Sequence, residues 1–280
     1  MNFKDSIFIL ATLGWVACVG CSNSLQVTPE LSVTDGSLGI YDGKPTTIQK
    51  HPYLVSLQIK RSNWCAASIV SSQWVLTIGA CAYGFPNPGD LDVVAASNDG
   101  KTGEIYKVKK IVLHPKYIDG NLDYDYAVCK IKGEFKWSDK IKPIKLGTKQ
   151  PKPGTKFSVA GYGSTAPPTY MPLLNNEVEK SRLLEGTLYW LPKKQCVDVL
   201  KAIKVPWTPR LACAYNQGKT TLCEGDWADA LVYKGAVYGI FAVGVSQGFC
   251  SYEAYPVGLA DVPAVAPWIK KITGAKYDYE

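Results

Sequence analysis

From Tyr53 onward the chain reads as short apolar runs cut by polar and turn-forming residues. Tyr53–Ile59 (YLVSLQI), Trp74–Thr77, Leu91–Ala95, Glu104–Leu113, Tyr126–Ile131, Lys156–Ala160, Thr187–Trp190, Ala230–Tyr233 and Val237–Val243 are such runs, bounded by Gly, Pro and Asn. Their spacing predicts an all-β sandwich or barrel protein, and no alternation with helical segments suggests a parallel sheet. Pro151, Pro153 and Gly154 break the pattern near the middle, where two halves would join. The last segment changes period. Val265, Trp268, Ile269 and Ile272 fall at i, i+3, i+4 and i+7, with Lys270 and Lys271 between them and Gly274 after, which predicts an amphipathic helix with a Gly stop.

The first 39 residues follow neither pattern. Lys4 precedes an apolar run, Ser6–Gly20, and small residues follow at Gly20, Cys21 and Ser22. The run is too short and interrupted for a membrane span, so residues 1–21 read as a signal peptide. Residues 22–39, polar from Gln26 on, read as a pro-segment or linker, and residues 40–280 as the folded domain. No other stretch approaches the roughly 18 apolar residues of a span, so a soluble, secreted mature protein with no membrane attachment is expected.

Composition narrows the chemistry. Of 280 residues, 46% are hydrophobic, enough to bury a core and to exclude disorder as the main state. Nine Cys suit an oxidising compartment. Cys18 and Cys21 leave with the signal peptide, so the remaining number is odd. Only two His occur, His51 and His114, too few for a His-rich metal site; no metal or cofactor is expected. The net charge is +7; one Lys against three acids lies before Ile40, which leaves +9 on residues 40–280. Those Lys serve as a solvated surface or as a patch for an acidic partner such as a sulfated glycan or protein face. Nucleic acid is not an expected partner, because secretion separates the protein from it.

Seven motifs, in order, resemble the chymotrypsin/trypsin-like serine proteases. Ile40-Tyr41-Asp42-Gly43 resembles IVGG, and Trp74–Cys81 (WVLTIGAC) resembles WVLTAAHC. His114-Pro115 sits where the family has a His-Pro turn, and Asp125-Tyr126-Ala127-Val128 resembles DIAL. Gly161-Tyr162-Gly163 resembles GWG, Cys223–Ala230 (CEGDWADA) resembles CxGDSGGP, and Trp268-Ile269 resembles the closing helix. The resemblance implies two six-stranded antiparallel β-barrels, one over about residues 40–146 and one over about 147–262. A C-terminal α-helix follows at about 263–274.

The departures bear directly on chemistry. The family's triad needs a Ser nucleophile, a His base and an Asp that orients the His. The motifs align Ala80 with the His and Trp227 with the Ser, and leave only Asp125. A methyl group accepts no proton, and indole offers only an N–H. The oxyanion donors would be the N–H groups of Gly225 and Trp227. Ala228 and Asp229 replace two Gly, so close approach and positive φ become costly there. Thr221 stands where trypsins carry the Asp that selects Lys and Arg. Ala242-Val243-Gly244 replaces the substrate-binding Ser-Trp-Gly strand, and Val257, at a usual Gly, should narrow the specificity pocket. The resemblance thus implies a protease homologue without proteolytic activity.

It also implies three disulfides, Cys65–Cys81, Cys196–Cys213 and Cys223–Cys250, with Cys129 left as a buried free thiol. Ile40 and Asp226 are both present for the family's N-terminal ion pair, but Leu38-Gly39 is no trypsin cleavage site. Loss of both His and Ser, the IxDGxP start at Ile40–Pro45 and the Gly-Ile junction resemble the scabies mite inactivated serine protease paralogues, relatives of the mite group 3 allergen proteases. That resemblance implies a protein of the gut lumen and faeces that meets host plasma proteins and inhibits complement by binding its components; a monomer is expected. The alternative is a non-catalytic cofactor or decoy in an arthropod protease cascade. Members of that class usually carry a Cys-rich clip domain, and residues 22–39 contain no Cys.

Overall fold

In a computed structural model of the chain, residues 40–163, 183–217, 219–223, 225–244 and 256–280 are described. The signal peptide, the pro-segment and Cys250 lie outside them. Six strands close the first barrel: β2 (Leu54–Ile59), β3 (Ser62–Ser71), β4 (Trp74–Thr77), β5 (Leu91–Ala95), β6 (Glu104–Leu113) and β7 (Ala127–Ile131), in the order β2-β3-β4-β7-β6-β5. A two-residue strand, β1 (Lys44–Pro45), precedes them, and another, β8 (Lys145–Leu146), follows. The second barrel comprises β9 (Lys156–Gly161), β10 (Leu184–Trp190), β11 (Leu211–Tyr215), β12 (Ala230–Tyr233), β13 (Ala236–Val243) and β14 (Val257–Asp261). Its order is β10-β11-β14-β13-β12-β9, and β9 pairs with β10 to close the ring. All pairs within the two rings are antiparallel.

The runs read from the sequence are strands because their inward side chains fill a closed ring. In β7 (AVCKI) only Lys130 is not buried, and its ammonium lies 5.7 Å over the Trp74 ring. Hairpins turn tightly. Ile59 pairs with Ser62 across Lys60 and Arg61, both at positive φ, and Tyr233 pairs with Ala236 across Lys234 and Gly235, again both at positive φ. Two successive positive φ angles match the twist of the flanking strands. Three barrel strands lie outside the runs legible in the sequence. Ser62–Ser71 opens with polar residues, and Leu211–Tyr215 and Val257–Asp261 are short and rich in Ala and Gly.

Among the described residues three helices accompany the strands: a single turn, α1 (Gly79–Ala82), then α2 (Lys193–Ala202) and α3 (Ala266–Thr273). α3 buries Ala266, Ile269 and Thr273 and ends at Gly274 in the left-handed conformation, with Lys270 and Lys271 in its last turn. The barrels are joined by Tyr126, whose hydroxyl donates to the carbonyls of Asp261 (2.8 Å) and Arg210 (3.2 Å). Arg210 returns a forked pair to Asp123, with Nε 2.8 Å from Oδ1.

Disulfides join Cys65 to Cys81 and Cys196 to Cys213. Cys223 is also disulfide-bonded, while its implied partner Cys250 lies outside the described residues. Cys129 is a free thiol between Val75 and Ile111 in the wall of the first barrel, and burial raises its pKa to about 12. A thiolate is the reactive form. Native protein is therefore expected to leave Cys129 unlabelled by a maleimide and unfolded protein to label it, as read by peptide mass spectrometry. Labelling at equal rates in both states would contradict this burial.

Candidate functional site

The segments that carry the triad motifs converge where the barrels meet. β4 ends at Thr77 and runs through Ile78 into the single turn α1, which carries Ala80. The carboxyl of Asp125, just before β7, accepts from the Ala80 N–H at 2.8 Å and also from Gly79. α1 has no side-chain cap of its own, so Asp125 satisfies N–H groups that the turn leaves open. The space beside it is closed: a Cβ on Gly79 would meet the Tyr117 ring at 2.7 Å and Asp125 Oδ1 at 2.9 Å. Burial pushes the Asp125 carboxyl up to about 6, against the pull of the two backbone donors.

Neither His comes to this place. His51 Nε2 lies 2.8 Å from Glu185 Oε2, and desolvation lowers its pKa. His114 stacks on Tyr124 at 4.6 Å and meets the edge of Trp268 at 4.8 Å.

Trp227 sits on the turn before β12. Its carbonyl accepts from the Ala66 N–H at 2.7 Å, which ties the turn to the first barrel. Its indole lies flat on Phe241, with ring centroids 4.7 Å apart and planes 6° from parallel. Gly244 adjoins the same ring: a Cβ there would lie 3.5 Å from Trp227. Ala242, Val243 and Val257 are buried as well, and Val257 and Phe241 belong to one apolar cluster that Trp227 packs against. Val243 packs on Gly258, where a Cβ would come within 2.5 Å. Thr221 turns its carbonyl to the Tyr41 N–H at 3.1 Å, and Ile40 is wholly buried. Large apolar side chains therefore converge where the motifs place a specificity pocket.

The turn is shaped by Gly225, at φ +90°, and by Ala228, at φ +70°. Ala228 thus accepts the left-handed conformation that a Gly would adopt freely. Sequence alone places the same backbone problem at Asp229; Asp229 is not among the positive-φ residues, and its side chain matters instead. Asp226 accepts from the N–H groups of Gly163 (2.8 Å) and Cys223 (2.9 Å). The Asp229 carboxyl, also fully buried, lies against that of Asp226, and a side chain on Gly161 would collide with both. Burial of two carboxyls against each other favours one shared proton over two charges. Desolvation and the Asp226 charge accordingly hold Asp229 far above the ordinary carboxylate range. Tyr162 also does more than fill space, since its hydroxyl donates to the Ser97 carbonyl at 2.7 Å.

The trypsin family model matches residues 40–269. Trypsin 5G1 of Aedes aegypti is 30% identical over 280 residues, which is 96% of this chain and 98% of that protein. Trypsin delta of Drosophila melanogaster is 29% identical, covering 82% of this chain and 87% of its own. Among solved structures, the scabies mite inactivated protease paralogue S-D1 aligns with a TM-score of 0.72 at 25% identity, over 84% of this chain and 97% of that one. Mouse neuropsin, a serine protease, shares the fold with a TM-score of 0.70 at 22% identity, over 82% and 98%. Two closed barrels, a C-terminal helix and a family match over residues 40–269 lead to one conclusion: this chain belongs to the trypsin family.

Proposed function

We propose that this protein is a secreted, proteolytically inactive trypsin homologue that acts by binding, and that its partner is a complement component of ingested host plasma. The observation that carries the reading is the pair of side chains at the aligned triad positions. Ala80 presents a methyl group beside Asp125, and Trp227 presents an indole stacked at 4.7 Å on Phe241. Neither supplies a base or a nucleophile. The likeness to a mite paralogue named as inactivated supports a non-catalytic role, and the complement partner follows from the motif resemblance to that group. The old cleft is a poor binding site because Trp227, Phe241 and Val257 fill its specificity end. A binder on this scaffold uses surface loops instead, where sequence varies without disturbing the barrels.

Purified full-length protein is expected to inhibit lysis of antibody-coated red cells by serum and to retain complement proteins from plasma. Retention should weaken as salt rises, because the +9 charge of residues 40–280 acts on an acidic partner over a Debye length of about 8 Å at physiological salt. Unchanged lysis at micromolar protein, with no complement protein retained, overturns the complement reading in favour of a cascade cofactor. Ester turnover that purifies with the protein overturns the inactive reading. Binding that survives substitution of exposed loop residues but is lost in Trp227→Ala returns the site to the cleft.

A further inference from the structure

A cavity of about 380 Å³ opens on the second barrel, and none of the aligned triad positions lines it. Its walls come from the Pro151–Pro153 break, the end of β10, the start of α2, the Trp207–Cys213 stretch and the end of β14. The volume falls in the range of small-molecule sites, roughly 300–1,000 Å³. The lining is largely apolar, with Trp190 and Trp207 as its aromatic members. The Cys196–Cys213 disulfide closes one wall and holds α2 to β11.

One polar group lies at this cavity without a full set of partners. Asp261, the last residue of β14, is 2% exposed. Its backbone is committed, the N–H to the Arg210 carbonyl (2.9 Å) and the carbonyl to the Tyr126 hydroxyl (2.8 Å). Its Oδ2 accepts from Gln150 Nε2, and its Oδ1 has no hydrogen-bond partner. A buried acceptor left in that state is costly. The neighbouring cations do not relieve it. Arg210 is forked onto Asp123, and the ammonium of Lys193 rests 4.3 Å over the Trp207 ring. The same ring contact shows that Trp207 accommodates an ammonium on its face.

We propose that this cavity binds a small organic cation, whose ammonium pairs with the Asp261 carboxylate once that side chain turns its closed-off oxygen toward the cavity, while its apolar or aromatic body packs against Trp190 and Trp207. Pro151, Leu191 and Leu211 supply the surface that such a body covers, and the acid fixes its orientation. Specificity comes from the unmet acceptor: a ligand without a donor leaves Oδ1 as costly as before.

The test uses the full chain and phenethylamine, followed by calorimetry and ligand-observed NMR, with 2-phenylethanol and 3-phenylpropanoate as neutral and anionic counterparts. Phenethylamine should bind saturably, the alcohol about tenfold more weakly and the carboxylate not measurably. Asp261→Asn should weaken the amine about tenfold while retaining the melting transition. Trp207→Ala, a change at a partly exposed residue, should weaken amine and alcohol together. Burial lifts the Asp261 pKa to about 7, and only the ionised carboxylate pairs with an ammonium. Affinity for the amine, which stays protonated throughout, should therefore rise between about pH 6 and pH 8. Three results each overturn the proposal: no saturable binding of phenethylamine up to about 10 mM, alcohol bound as tightly as amine, or amine binding unaffected by Asp261→Asn.

Discussion

Installing the two missing triad side chains, Ala80→His with Trp227→Ser, is expected to leave hydrolysis of Lys, Arg and aromatic ester substrates at least about 10³-fold below a trypsin. Loss of the triad costs about 10⁶-fold in this chemistry, and what the rest of a site contributes comes from substrate binding and the oxyanion donors. Those are the parts that two substitutions leave altered. Asp125 is in place, with its carboxyl 2.8 Å from the Ala80 N–H, and could orient an imidazole. Phe241 and Val257 stay buried in the apolar cluster that Trp227 packs against, and Val243 keeps its tight seat on Gly258. The turn that would aim the oxyanion donors still carries Ala228 at φ +70° and the buried Asp226–Asp229 contact. Removing the Trp227 indole also deletes its stack on Phe241, so a lower melting temperature should accompany the low rate. Measurement of kcat/KM for the double variant decides the matter. Recovery to trypsin-like values would mean that the two triad side chains alone limit the scaffold.

Much of this site was legible because the relevant residues are bound to sequence motifs. Trp74–Cys81 and Cys223–Ala230 fix the chain positions of Ala80 and Trp227. The closing helix was legible through its 3.6-residue period and Gly274. What escaped depends on contacts between distant segments. Val257–Asp261 has no apolar alternation of its own and becomes a strand by pairing with β11 and β13. Asp261 thus gave no sign that its carboxyl would line a cavity with Gln150, more than a hundred residues earlier. The direction of the Trp227 indole, onto Phe241, is likewise a tertiary fact. Asp229 illustrates the limit most clearly. Its replacement of a Gly was visible and its backbone consequence was the natural expectation, yet the strained angle falls on Ala228 and the carboxyl meets Asp226.

That contact has a measurable consequence. Asp229→Asn is expected to stabilise the protein at neutral pH by several degrees, with a gain that shrinks toward pH 4. In the folded chain Asp229 is held protonated far above its ordinary value of 3.8 by burial and by Asp226. The unfolded chain releases that proton as pH rises past about 4. Between those limits the folded state binds more protons, so stability falls with rising pH, by up to about 1.4 kcal/mol per pH unit for one group. Asp125, raised to about 6, and Asp261, raised to about 7, act with the same sign, but their contributions level off once those values are passed. An Asn amide has the same shape, cannot ionise, and donates N–H to the Asp226 carboxylate in place of the shared proton. At low pH wild type and variant should therefore melt together. The curves should separate as pH rises, by about 2–4 °C per kcal/mol in a domain of this size. Thermal melts of both proteins at half-unit steps between about pH 4 and pH 8 test this directly. A variant that is less stable by the same amount at every pH would show that Asp229 is ionised in the fold and balanced by a cation, which would remove the shared proton from the account of this turn.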